Sequence, residues 1–366
     1  MSISGYFRLK HLPILSSLYT MKKFLAITAF KDTGDKYRRR NLQACMRTVF
    51  DTFPEADHLV IEQGNGEWFS TLEAQADHVL MEDTGSFRKS SLLNRAVLTN
   101  PGYSGYVMVD ADVYFTRKLA DYVIANTGDS RLVFPYGDTI YLDEVDTKRL
   151  VTTGTIFRGD KDHGVTLRRQ TGLCNSFTWD TFNAVAGFDE DFTGWGAEDD
   201  TFMFKFRRIG AEIRRNPDPT AAAYHMFHPK VNTDAYLESP NYRRNRVMCA
   251  CVRRMSDEDF SDYLAKKASL EELVDKYKKM GRLEIQLIWE IVRGTTLHID
   301  TTIYDIDRSG KMDIDKILTA VYNEDGAAGI VEFVDDVLSH IPNMPPEITG
   351  RIAAWYERAR EECAAS

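Results

Sequence analysis

The chain has 366 residues, of which 43% are hydrophobic, and its formal net charge is −9. This length exceeds what one small core can hold, so we expect a large domain with an appendage or two domains. The apolar runs are too short to cross a bilayer, and we expect no transmembrane segment. The five cysteines show no CxxC spacing, which argues against a zinc site or a disulfide framework and favours a reducing, cytoplasmic location.

Charge is distributed unevenly along the chain. Residues 1–50 contain ten Lys or Arg and two acids, whereas residues 256–366 contain 13 basic and 23 acidic residues. The basic N-terminal segment could face phosphate groups, or it could be an ordinary solvated surface. The charge pattern leaves both interpretations open.

The predicted elements follow an α/β order. Residues 1–20 are expected to be an N-terminal extension, and short β-branched runs then alternate with amphipathic stretches. This alternation predicts a Rossmann-like α/β domain over residues 21–255, with a parallel sheet covered on both faces. From Ser256 the pattern becomes helical and acidic, which predicts a helical C-terminal region over residues 256–366. The predicted strands lie at 24–30, 58–62, 77–81 and 106–113, and the first helices at 39–53 and 90–98.

Two aspartates stand at the end of a buried strand. Asp110 and Asp112 follow the apolar run that begins at Tyr106. Ligands of open α/β sheets bind beyond the carboxyl ends of strands, and side chains two apart on a strand share a face. Both carboxylates are therefore expected to address one object, a divalent cation that binds a polyanion such as a diphosphate. A simple turn at the strand end is the alternative.

These aspartates also form part of a family resemblance. The run VDADV (109–113), taken with GWGAEDD (194–200), resembles the GT-A nucleotide-sugar glycosyltransferases of the β-1,4-galactosyltransferase and chondroitin-polymerase type. Segments 58–64 and 85–96 resemble further parts of that family, and His228 follows Gly210 by eighteen residues, as in the family. The resemblance covers residues 22–245. It implies a GT-A domain, to which the helical pattern from Ser256 onward adds a mostly helical C-terminal appendage.

The resemblance implies a function as well. The expected enzyme is a metal-dependent, inverting glycosyltransferase that moves a hexose or N-acetylhexosamine from a UDP-sugar to a hydroxyl of a glycan or polysaccharide. Asp199 is implied as the base and Glu198 as a residue that orients sugar hydroxyls. The implied metal ligands are Asp112, His228 and His225, a mixed carboxylate and imidazole set that suits Mn²⁺. The implied donor-binding residues are Thr28, Arg38, Arg40, Glu62, Phe87, Lys89, Asn94, Asp110, Trp195 and Gly196.

The residue types fit these roles. Neighbouring carboxylates repel one another, which raises at least one pKa toward neutrality and favours a general base. Trp195 offers a flat apolar face for a sugar ring, and the flanking Gly194 and Gly196 would let the loop close over the donor. An acidic first turn of a helix behind a core Trp is the alternative for this stretch. Lys89 departs from the family, which has Arg at that position.

Two weaker patterns are also present. Residues 305–316 resemble an EF-hand loop, but Lys316 stands where a bidentate Glu is expected, so a turn between helices is favoured over a Ca²⁺ site. Residues 241–254 carry five arginines and no acid. This stretch could bind an anionic or nucleic-acid acceptor, or form a solvated rim. The rival functions are therefore a glycosyltransferase that acts on modified DNA bases and a non-catalytic sugar-binding scaffold on the same fold.

Overall fold

The computed structural model describes most of the chain, with several gaps. The described residues form two compact units, one within residues 1–230 and the other within 231–366. The expected N-terminal extension and positions 305–313 of the candidate calcium loop lie outside the described residues, and the domain boundary near 255 stays a prediction. The described ranges are 23–72, 76–83, 85–155, 165–168, 170–218, 220–229, 240–279, 314–336 and 346–365.

The first unit has mixed α/β architecture, which confirms the predicted fold class. Its described helices are α1 (Lys36–Thr52), α2 (Lys89–Thr99), α3 (Arg117–Asn126), α4 (Glu144–Thr153), α5 (Trp179–Ala184) and α6 (Glu198–Arg208). Its described strands are β1 (Phe24–Lys31), β2 (Ala56–Gly64), β3 (Asp77–Glu82), β4 (Gly105–Val109), β5 (Val113–Tyr114), β6 (Arg131–Phe134), β7 (Asp138–Tyr141), β8 (Val165–Arg168), β9 (Cys174–Phe177), β10 (Glu212–Arg215) and β11 (Ala223–His225).

The described strands form two sheets. The larger sheet has seven strands in the order β10-β6-β9-β4-β1-β2-β3, and the smaller has four in the order β5-β11-β7-β8. β1 lies between β2 and β4 and is parallel to both. β9, however, is antiparallel to β4 and to β6. The larger sheet is therefore mostly parallel, as predicted, and β9 is its antiparallel strand, because it lies between two strands of the opposite direction.

The core explains why the strands read as continuous apolar runs. Ile27 on β1 is fully buried and pairs with Leu59 on β2 and Met108 on β4. α2 packs on β1 and β2, while α1 packs on β2 and β5. Central strands covered by other elements on both faces need apolar side chains on both, so the alternation typical of half-exposed strands is absent. The helices thereby fix the carboxyl ends of β1, β2 and β4 at one edge of the sheet.

The second unit is helical where it is described, as predicted. α8 begins as the sequence indicates, because the Ser256 side chain accepts a hydrogen bond from the backbone N–H of Asp259 and caps the helix. Among the described residues, no helix has the length and apolar character needed to cross a bilayer. The described helices are α7 (Pro240–Arg254), α8 (Asp257–Leu264), α9 (Leu270–Lys279), α10 (Ile314–Asp336) and α11 (Pro346–Ala365).

The arginine-rich stretch falls on α7. Arg246 on this helix is buried, and Arg244 forms an ion pair with Glu271 at 2.9 Å. A buried guanidinium is not part of a solvated rim, so that interpretation does not hold for Arg246. The side chains of Arg244 and Glu271 are 38% and 70% exposed, which is a solvated surface ion pair.

Candidate active site

Three potential metal ligands meet where β5 and β11 pair. Oδ2 of Asp112 lies 3.3 Å from Nε2 of His228 and 3.5 Å from Nε2 of His225. One ligand atom from each of the three residues lies within 4.8 Å of the others. All three side chains are largely buried, with 12–19% of their surface exposed. The residues predicted as a metal set are thus brought together.

The backbone of the histidine segment is anchored by buried polar groups. The Asn41 amide on α1 donates to the carbonyls of Met226 and Phe227 at 3.2 and 3.1 Å. The Arg40 guanidinium donates to the Phe227 carbonyl at 2.8 Å. Thr147 on α4 accepts a hydrogen bond from the Phe227 N–H. Arg40 was predicted to bind the nucleotide. In the structure its side chain binds the backbone of the segment between the two histidines.

The charged groups around Asp112 change the pKa of its carboxyl. Burial alone would raise the pKa of Asp112, but the nearby His225, His228 and Arg38 lower that pKa below its usual range. Arg38 is half-buried and acts on Asp112 through its charge, so it lies on the site side of α1. The Tyr141 ring stacks on His225 with ring centres 4.4 Å apart. These contacts favour an ionised carboxylate facing two imidazoles.

A second cluster of charged groups surrounds Lys89. Its Nζ atom lies 2.9 Å from Asp199 Oδ2, 3.0 Å from Asp110 Oδ1 and 3.5 Å from Glu198 Oε1. Lys89 is the first residue of α2, Asp110 follows β4, and the two other acids lie in the first turn of α6. Two carboxylates of α6 and one that follows β4 therefore converge on the ammonium group of a lysine of α2.

Asp199 has the ionisation behaviour of a general base. Burial raises the pKa of its carboxyl to about 8; the neighbouring Glu198 and Asp110 add to the rise, while Lys89 opposes it. Burial works against the charge on Lys89, yet the three carboxylates hold its pKa well above the usual value. A base with a pKa near the working pH is both available and effective.

The two aspartates of the DAD sequence serve different clusters. β4 ends at Val109, and the Val113 N–H donates to the Asp110 carbonyl at 3.0 Å, so residues 110–112 form a turn. Alternation along a strand no longer applies there, and Asp110 faces Lys89 while Asp112 faces the histidines. The two acids thus contact different groups of the chain, and their expected common ligand stays a prediction. The turn instead places the metal set and the acid cluster next to each other in the chain.

The segment from Gln170 to Leu173 supports the acid cluster, and sequence reasoning missed it. The Leu173 N–H donates to Asp110 Oδ2 at 3.1 Å, and Thr171 donates to the side chain of Asp200. Leu173 has a φ of 72°, a backbone conformation that residues other than glycine rarely adopt. A Cβ atom on Gly172 would lie 3.0 Å from Asp199 Oδ2. The only signal in the sequence was a lone glycine before β9.

The loop that contains Trp195 is tied to the loop before α2. The Gly194 N–H donates to the Phe87 carbonyl at 2.8 Å. Gln63 holds the Phe87 loop in turn, because its amide donates to Ser86 at 2.9 Å. Trp195 is 37% exposed, so much of its ring surface faces solvent.

The GWG turn has the backbone that its glycines predict. Gly194 and Gly196 have φ values of 75° and 106°, a region that favours glycine. The Gly196 N–H donates to Glu198 Oε2 at 3.1 Å. The turn therefore delivers the chain from Trp195 directly into the acidic first turn of α6.

Three predicted donor-binding residues are placed elsewhere by the structure. Thr28 is fully buried and its hydroxyl pairs with His58 at 2.9 Å. The buried Asn94 side chain is bonded to both backbone groups of Phe188, so it fixes the turn before the GWG loop. Glu62 is fully buried and bonded to His78 at 2.9 Å. In this structure all three side chains make structural contacts inside the fold, and their donor-binding roles stay predictions.

Known proteins resemble this site in sequence. Residues 165–229 match a family model described as the N-terminal domain of galactosyltransferase. The resemblance is to galactosyltransferases. The matched residues include Gly172, Asp199 and both histidines, so the match confirms the resemblance found in the sequence and the enzyme class, glycosyltransferase. No curated protein matches the chain.

Solved glycosyltransferases resemble the chain in structure. The mannosyltransferase PcManGT from Pyrobaculum calidifontis, solved with GDP-Man and Mn²⁺, is 14% identical, with a TM-score of 0.40 and 79% of each chain covered. The catalytic domain of Drosophila β1,4-galactosyltransferase 7, solved with xylobiose, is 14% identical, with a TM-score of 0.36 and coverage of 68% of this chain and 82% of that one. At such low TM-scores the likeness says nothing about donor, acceptor or mechanism.

Proposed function

We propose that this protein is a metal-dependent, inverting glycosyltransferase that moves a hexose or N-acetylhexosamine from a UDP-sugar to a hydroxyl of a glycan or polysaccharide. The observation that carries the proposal is the turn Asp110–Asp112, which joins a three-residue ligand set to a cluster containing a carboxylate of raised pKa. Sugar transfer from a nucleotide diphosphate needs both parts, a cation for the leaving group and a base for the attacking hydroxyl.

The ligand set fits a divalent metal. Asp112, His225 and His228 present one oxygen and two imidazole nitrogens within 4.8 Å of one another, and such a mixed set suits Mn²⁺ better than Mg²⁺. When bound, the ion supplies positive charge that stabilises the departing diphosphate. The residues of α1 and α4 that bind the Met226–Phe227 backbone keep both histidines facing Asp112.

The acid cluster supplies the proton acceptor. As the acceptor hydroxyl forms its bond to the anomeric carbon, the bond from that carbon to the diphosphate breaks and the hydroxyl proton passes to the Asp199 carboxylate. Glu198, fixed by the Gly196 N–H, lies beside Asp199 and is suited to accept hydrogen bonds from sugar hydroxyls. A single displacement with one base inverts the anomeric configuration. The exposed ring of Trp195 offers an apolar face for a sugar ring to stack on.

The decisive experiment is a screen of nucleotide sugars. The full chain is mixed with Mn²⁺ and each of a panel of UDP- and GDP-sugars, and both the melting temperature and the release of nucleoside diphosphate are measured. A ligand at a hundredfold excess over its Kd stabilises by about 2.7 kcal/mol, which a thermal shift detects. We expect a UDP-sugar to raise the melting temperature only with metal and to be hydrolysed slowly without acceptor. Binding without any release of nucleoside diphosphate would instead support the non-catalytic scaffold.

A nucleic-acid acceptor is the less favoured alternative. Arg246 is buried, so this arginine of α7 is not available to phosphates, and Arg244 already has Glu271 as an ion-pair partner at the surface. A gel-shift measurement with duplex DNA tests this alternative directly. We propose a cytoplasmic location, because Cys45 and Cys174 are buried thiols of the kind that persist in a reducing compartment.

A further inference from the structure

The environment of Lys89 differs from that of a donor-binding residue. An ammonium group has three N–H donors, and the Nζ atom of Lys89 has three carboxylates within 3.5 Å. Its side chain is only 13% exposed. The ammonium group donates a hydrogen bond to Asp199 and lies at ion-pair distance from Asp110 and Glu198, so carboxylates of this chain already surround it. The role expected from the sequence does not explain this arrangement.

The positive charge of Lys89 offsets the negative charges of the carboxylates around Asp199. Asp199 faces Glu198 on its own helix, Asp110 after β4 and the ammonium of Lys89 on α2. Tyr136, whose hydroxyl donates to the Gly172 carbonyl, is a further titratable group nearby. Asp200, the next acid of α6, instead accepts a hydrogen bond from Thr171. Among the described residues, Lys89 is thus the positively charged side chain that directly contacts Asp199.

We propose that Lys89 is a positioning residue that fixes the Asp199 carboxylate between Glu198 and Asp110 and keeps it sufficiently ionised to accept a proton. This inference rests on the proposed function, since it assigns Lys89 a task in the same reaction. It gives the lysine a role through Asp199 rather than through the donor. It also explains why Lys89 is the first residue of α2, because from that position its side chain reaches both Asp110 after β4 and Asp199 on α6.

The proposal predicts the direction of each substitution. Lys89→Met removes the attraction that favours the ionised form of Asp199 and leaves the repulsion from Glu198 and Asp110, so the pKa of Asp199 rises. Lys89→Gln also removes the charge but keeps a hydrogen-bond donor. Lys89→Arg keeps the positive charge, so Asp199 should stay as ionised as in the wild type. Arg95→Met is the matched control, because it removes a positive charge from the same helix.

The experiment measures the titration of Asp199 itself. Full-length protein labelled with ¹³C at aspartate side-chain carboxyls is titrated by NMR, and the Asp199 resonance is assigned by its loss in Asp199→Asn. We expect the midpoint to rise by about one unit or more in Lys89→Met and Lys89→Gln, as loss of a contacting opposite charge implies. It should stay near the wild-type value in Lys89→Arg and Arg95→Met. The acidic limb of the kcat/KM profile against pH should move by the same amount.

The outcomes separate the two proposals. A midpoint that stays in place in a folded Lys89→Met or Lys89→Gln protein overturns the role of Lys89, even if the rate falls equally at every pH. A midpoint that rises in the charge-removing variants alone supports it. If the midpoint rises but the wild-type protein turns over no nucleotide sugar, Lys89 does control Asp199 and the proposed transferase function fails.

Discussion

Oδ2 of Asp112 lies 3.3 Å from Nε2 of His228, although strands β5 to β11 lie between the two residues in the chain. This contact predicts metal dependence. We expect excess EDTA to abolish transfer and added Mn²⁺ to restore it, and Asp112→Ala to lower Mn²⁺ affinity by at least about tenfold, since a ligand is lost. Calorimetric titration with Mn²⁺ measures this without an assay of activity. Asp191→Ala, which removes an exposed acid, is the control, and full activity in EDTA would refute the metal site.

Asn41 is expected to support the metal site without touching the metal. Its amide binds the carbonyls of Met226 and Phe227, between the two histidines. Loss of such supporting contacts typically costs about 10–100-fold in metal affinity. We therefore expect Asn41→Ala to weaken Mn²⁺ binding by a factor in this range, measured by calorimetry. Asn183→Ala, at an exposed position of α5, should bind Mn²⁺ as the wild type does. Equal affinity in both variants would argue against the anchoring role.

Asp199 should determine both the rate and its dependence on pH. Removal of a general base typically costs about 10²–10⁴-fold, and we expect Asp199→Asn to lower kcat by such a factor. Because the base must be ionised and its pKa is raised to about 8, transfer should increase as the pH rises through that value. Initial rates between pH 6 and 9.5 test this expectation. A rate that is flat over this interval would remove Asp199 from its proposed role.

The same carboxyl should make the folded protein less stable in alkali. The pKa of Asp199 is higher in the folded chain, about 8, than its ordinary value of 3.8, so the folded state holds the proton more tightly. This contribution to stability is present at low pH and is lost as the pH rises through about 8. Asp199→Asn should therefore melt at a higher temperature than the wild type at pH 9, with a smaller difference at pH 5.

Gly172 is expected to be needed next to the base. A Cβ atom there would lie 3.0 Å from Asp199 Oδ2, so Gly172→Ala must displace that carboxylate or the segment that contains it. We expect a folded protein with a strongly reduced kcat, because a small misplacement of a catalytic group can cost about 10²-fold. Gly350→Ala is a suitable control, since a Cβ there meets nothing within 4 Å. Comparable turnover in the two variants would contradict the expectation.

His58 should make the protein sensitive to acid. Burial lowers the pKa of this histidine to about 4, and its Nδ1 atom is buried without a hydrogen-bond partner. The unfolded chain therefore binds this proton first, and stability is lost as the pH falls from about 6.5 towards 4, at up to about 1.4 kcal/mol per pH unit. His58→Gln cannot take up this charge and should lose less stability between pH 7 and 5. Urea unfolding at several pH values provides the measurement.

The fold and the metal set follow from local sequence patterns. Apolar runs such as Phe24–Lys31 must be central strands because both faces are buried, and this is readable without a structure. Asp112, His225 and His228 were found because each stands at a marked position, a strand end or a fixed spacing. Patterns of this kind depend on residues close in sequence or on a family resemblance.

The acid cluster depended on contacts that no local pattern encodes. Lys89 and Asp199 meet because the first turns of α2 and α6 lie close together, and only the fold sets that approach. The donor-binding roles of Asn94 and Thr28 were implied by the family resemblance. Their partners Phe188 and His58 come from distant segments that satisfy their hydrogen bonds inside the core.

The anchoring of Met226 and Phe227 by α1 has a consequence for biosynthesis. Asn41 is synthesised long before Met226 and Phe227. Its side-chain amide therefore lacks these two carbonyl acceptors until the histidine segment has been translated. If the proposed metal site is correct, the first unit can bind its ion only near the end of its own translation. A nascent chain arrested before residue 228 should emerge with a nearly complete main sheet and no capacity to retain manganese.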